Sequence, residues 1–113
     1  MDLLLAKGAD TNIRDDKGRT PLHIAVSYAA WRYPKIVELL IANGADINAK
    51  DNNGKTALSY AIEYARTEIV ELLIAKGADV NARDGAGRTL LSYAQEKGYT
   101  KIVELLRKHG AKE

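Results

Sequence analysis

The sequence predicts an all-α solenoid of stacked helix–turn–helix units joined by loops or hairpins. Three observations carry this. Ile36–Asp51 (IVELLIANGADINAKD) and Ile69–Asp84 (IVELLIAKGADVNARD) differ only at Asn43/Lys76, Ile47/Val80 and Lys50/Arg83. Two glycine series, Gly8, Gly44, Gly77, Gly110 and Gly18, Gly54, Gly87, keep a common period of 33 residues, with one unit longer by three. Self-similarity at such a period is the mark of repeat architectures. Finally, apolar residues within each unit recur at helical spacing.

Each element has a local reason. Thr20, Thr56 and Thr89 are N-caps whose hydroxyls can satisfy an unpaired amide of the first helical turn. Pro21 follows at the first helical position, where its missing N–H costs nothing. That helix runs to about Ala29, with partners ending near Tyr64 and Lys97. A second helix carries Ile36, Val37, Leu39, Leu40, Ile41 and their copies, and ends at a C′ glycine that tolerates φ > 0. The polar A-D-x-N-x-x-D stretch after it is rich in turn formers and leads into a loop or hairpin.

Thr20-Pro21-Leu22-His23-Ile24-Ala25 reads T-P-L-H-x-A, and three G-A-D-x-N turns accompany it. On these motifs the chain resembles the ankyrin repeat family from Leu3 to its end. Two units depart from the signature, with Ala57-Leu58-Ser59 and Leu90-Leu91-Ser92 in place of Pro-Leu-His. The resemblance implies an ankyrin-repeat solenoid: L-shaped helix–turn–helix units joined by β-hairpin-like finger loops and stacked into a slightly curved array. It also implies that His23 ties adjacent turns together by hydrogen bonds.

The expected organisation is one domain: a half repeat over 1–15, full repeats over 16–51 and 52–84, and a capping repeat over 85–113. The last unit has Gln95 and Arg107 where others have Val26, Ile62, Ile41 and Ile74, as a terminal repeat with a polar outer face requires. At the other end Leu3, Leu4 and Leu5 have no first helix to cover them. Contact there with a second copy or an upstream repeat is the expectation; a frayed half repeat is the alternative.

Composition narrows function. With 17 basic and 15 acidic residues interspersed, no cluster demands a nucleic acid partner. Cysteine is absent, which excludes disulfides and thiolate metal sites. No apolar stretch is long enough for a membrane span, and Met1–Leu5 lacks the basic start of a signal peptide. A cytoplasmic protein is expected. His23 and His109 stand at opposite ends of the stack and cannot share a metal or a proton. Gly85-Ala86-Gly87 lacks the third glycine and preceding strand of a dinucleotide loop. Asp15 recurs as Asp51 and Asp84, so it reads as scaffolding, and Ser59 and Ser92 have no histidine base in reach. No catalytic residue, cofactor or metal is expected, and no enzyme.

The expected function is therefore protein or peptide binding. The resemblance implies contact through finger tips and the exposed surface of first helices. Those positions are Asp16, Lys17, Arg19, Ser27 and Tyr28 in one unit, Asn52, Asn53, Lys55, Glu63 and Tyr64 in the next, then Arg88 and Lys97. The three-residue insertion adds Trp31, Arg32 and Tyr33, residue types enriched in interface hot spots. Trp31 either anchors a partner or folds back over its own repeat. A piece of a longer array and an engineered binder scaffold are the alternatives for the whole chain.

Overall fold

The structure is a computed structural model that describes residues 12–28 and 34–111, with the side chains of Tyr28 and Pro34 left aside. Among the described residues six helices follow one another: α1 Pro21–Tyr28, α2 Pro34–Ala42, α3 Ala57–Glu63, α4 Thr67–Ala75, α5 Leu90–Lys97 and α6 Thr100–Lys108. Among the described residues no strand forms, and an isolated antiparallel bridge joins Arg83 to Thr89 at the base of the third finger.

The caps form as their sequence requires. Thr56 Oγ1 accepts from the Ser59 amide while Ser59 Oγ accepts from the Thr56 amide, a reciprocal capping box. Thr89 caps α5 by accepting from the Ser92 amide. At α1 the reciprocal acceptor is His23 Nδ1, 3.0 Å from the Thr20 nitrogen. α2, α4 and α6 each close in a Schellman motif: the amides of Ala45, Ala78 and Ala111 donate to the carbonyls of Leu40, Leu73 and Leu106.

Helices pair within units as α1/α2, α3/α4 and α5/α6, and between units the first helices stack α1 on α3 on α5 while α4 packs on α6. Alanine makes the first-helix layer tight. Ala25, Ala61 and Ala94 occupy equivalent positions and are all buried, so the backbones approach closely. Around them lie the repeated Leu22, Leu58 and Leu91 of the first helices and Leu40, Leu73 and Leu106 of the second. Each such side chain, fully buried, contributes roughly 1.5–3 kcal/mol. Gln95 and Arg107 are exposed at the positions where Val26, Ile62 and Ile74 are buried, so the last unit turns polar groups outward. Leu3, Leu4, Leu5 and the inserted Trp31, Arg32 and Tyr33 lie outside the described residues.

Candidate functional site

Each finger is organised by the aspartate at its base. Asp15 Oδ1 accepts from the amides of Lys17 and Arg19, both at 2.9 Å. Asp51 Oδ1 accepts from Asn53 and Lys55, and Asp84 Oδ1 from Ala86 and Arg88. These bonds hold all three carboxyls below the usual carboxylate range. For Asp15 the Arg19 amide is the main cause. For Asp51 and Asp84 burial pulls the other way, and the hydrogen bonds outweigh it.

Fingers are then tied to one another. The Asn52 amide donates to the Lys17 carbonyl at 3.0 Å, and the equivalent Gly85 amide donates to Asn53 at 2.8 Å. At the finger bases Asn12 Oδ1 accepts from the Asp46 amide and Asn48 Oδ1 from the Asp79 amide, each at 2.7 Å. A third ladder is basic: Arg14 donates to the Lys50 carbonyl and Lys50 to that of Arg83. Three parallel sets of bonds thus register each repeat against the next and align the finger tips.

The sequence-derived candidates divide on this scaffold. Asp16, Lys17, Asn52 and Asn53 are exposed on adjacent tips. Arg19 folds back onto Asp15 at 2.9 Å. Lys55 reaches Glu63 on α3 at 2.9 Å, which raises the lysine above its usual range. Arg88 and Lys97 converge on the ring of Tyr93, at 5.7 and 5.6 Å from its centroid. Ser27 is half-buried, its Oγ donating to the His23 carbonyl one turn back on its own helix. Tyr64 is exposed after α3, with the Arg66 guanidinium 5.6 Å from its ring centroid.

Sequence reasoning missed the tyrosines between finger and first helix. Tyr60 donates to Asp51 Oδ2, and burial together with that bond pushes its phenol well above its ordinary value. The His23 ring meets Tyr60 edge to face, with centroids 5.4 Å apart. The available signal was the variable column Ile24, Tyr60, Tyr93 inside otherwise repeating helices.

Among the described residues no group of His, Cys, Asp and Glu is placed to hold a metal ion, and no helix is long and apolar enough to cross a membrane. The surface offers aligned polar tips, tyrosines and paired charges, which suit recognition by contact. A family model described as ankyrin repeats (3 copies) matches residues 1–84 and again residues 28–113. No curated protein matches the chain. Matched along its whole length, with capped helix pairs and fingers in register, the chain belongs to the ankyrin repeat family.

Proposed function

We propose that this chain binds a folded protein or a peptide along the strip formed by its finger tips and the exposed side of α1, α3 and α5. Ankyrin repeats are generally protein–protein interaction modules. The observation that carries the reading to this strip is the finger ladder from Lys17 to Asn52 and from Asn53 to Gly85. It fixes the non-repeating side chains on neighbouring tips in one rigid row, so a partner meets them without a cost of ordering the loops. Recognition proceeds by shape and hydrogen bonding, without a cofactor. The second-helix side, with Glu71 and Glu104 exposed, serves as the outer support of the stack.

Site-specific photo-crosslinking separates the two sides. A photoreactive residue at Asn53 or Ala86 is expected to capture partner protein from a cell extract, whereas one at Glu71 or Glu104 is not. Capture only from the second-helix positions would overturn the assignment.

A further inference from the structure

The second repeat is closed on itself between finger and first helix. The Tyr60 hydroxyl is taken by Asp51, and the Lys55 ammonium by both oxygens of Glu63, at 2.9 and 3.1 Å. The His23 ring packs against Tyr60 in a T-shaped contact. The third repeat has the same frame with its polar groups left open. Ser59 stands where His23 stands, and the cleft beside it is lined by Ile62, Glu63, Asp84, Arg88, Thr89, Leu90 and Tyr93, with Lys97 outside this lining on the Tyr93 ring. Arg88 turns to Asp84 at 3.4 Å, a longer contact than the 2.9 Å of Lys55 to Glu63, and half of its side chain is exposed. Among the described residues the Tyr93 hydroxyl has no hydrogen-bond partner, and Lys97 has no carboxylate partner. Both cations flank the one ring.

We infer that this opening on the third repeat receives the carboxylate of an aspartate or glutamate side chain on a bound protein partner. The inference rests on the proposed binding strip and names what its third repeat recognises. The arrangement has a counterpart within the chain: Asp51 is to Tyr60 as the partner's carboxylate is to Tyr93. The incoming group accepts from the Tyr93 hydroxyl and from the Arg88 and Lys97 cations. Hydrogen bonds to a charged acceptor are roughly twice as strong as neutral ones, so such a contact discriminates an acid from its amide. Glu63 does not satisfy the site, because Lys55 already holds it. Asp84 does not depend on Arg88, because the Ala86 and Arg88 amides keep its other oxygen.

The test selects a random-peptide display library against the intact chain and measures the selected peptides on variants. One acidic position is expected to recur among them, and its change to Asn or Gln weakens binding about tenfold, the factor that 1.4 kcal/mol represents. Arg88→Gln, Lys97→Gln and Tyr93→Phe are each expected to weaken the acidic peptide and to leave its amide analogue unaffected, a coupling that unfolding would not produce. Unchanged helical circular dichroism and unfolding midpoint verify each variant. Peptides that bind without an acid, or that ignore all three variants, overturn the inference. If such peptides are still lost on Asn53→Arg, the binding strip stands and the acid site alone fails. If they ignore Asn53→Arg as well, both fail.

Discussion

His23 in the first helix is bonded to the backbone of the next repeat: its Nε2 donates to the Lys55 carbonyl across 2.8 Å. The other ring nitrogen accepts from the Thr20 amide at 3.0 Å. One side chain therefore caps its own helix and ties down the neighbouring finger, and it does both only as the neutral, Nε2-protonated tautomer. Protonation of Nδ1 removes the acceptor that Thr20 uses. Burial already disfavours the charged ring and lowers its pKa from the ordinary 6.5.

The sign of the pH effect follows. The unfolded chain binds a proton at His23 more readily than the folded one, so stability is full above pH 6.5 and declines below it. The lowered Asp51 and Asp84 carboxyls contribute a second loss, which sets in as pH falls through the ordinary 3.8. Urea unfolding from pH 8 to 3 is expected to show both steps. In His23→Gln the upper step is expected to vanish while the lower one remains.

Ser59 occupies the His23 position in the second repeat and reaches only its own cap. Arg88 and Tyr93 stand where Lys55 and Tyr60 stand for His23, and a cleft adjoins Ser59. Ser59→His is expected to keep the acceptor for the Thr56 amide and to add a bond to the Arg88 carbonyl. A net hydrogen bond contributes about 1 kcal/mol. Chemical denaturation at pH 8 should show a gain of that order; a loss would show that the cleft does not admit the ring.

Ala65 and Gly98 occupy equivalent positions after α3 and α5, with φ of 53° and 75°. A left-handed residue with a Cβ costs roughly 1–2 kcal/mol, less the entropy that glycine adds to the unfolded chain. Ala65→Gly is expected to raise stability by about 0.5 kcal/mol, and Gly98→Ala to lower it. Thermal unfolding of the two variants checks both signs.

Gly54 and Gly87 share a positive φ but not their surroundings. A Cβ on Gly54 would meet the Gly85 nitrogen at 2.6 Å, whereas one on Gly87 meets nothing within 4 Å. Both alanine variants carry the left-handed cost of about 1 kcal/mol. Gly54→Ala is expected to cost more, because it also forces apart the fingers joined between Asn53 and Gly85. Equal losses in denaturant unfolding would show that the fingers are not in close contact.

The period, the threonine caps and the C′ glycines were legible in the sequence because each is a local pattern repeated at fixed spacing. The candidate strip was legible only in part. Lys55 and Arg88 are copies, as are Glu63 and Glu96, so spacing alone pairs each cation with its own glutamate. Lys55 does pair with Glu63, but Arg88 pairs with Asp84. The difference lies in the second oxygen of the finger aspartate, which Tyr60 occupies at Asp51 and Tyr93 does not occupy at Asp84. Such choices depend on how side chains from two elements meet, and a one-dimensional pattern does not record that. The inserted Trp31, Arg32 and Tyr33 remain expectations from sequence.

The central claim is that one strip of finger tips and first helices meets the partner. Hydrogen exchange of the chain, alone and saturated with a partner captured by crosslinking, tests it most directly. Added protection is expected in the fingers at 51–55 and 84–88 and along the exposed side of α3 and α5, with α4 and α6 unchanged. Protection confined to α4 and α6, with the fingers exchanging as in the free chain, would contradict it.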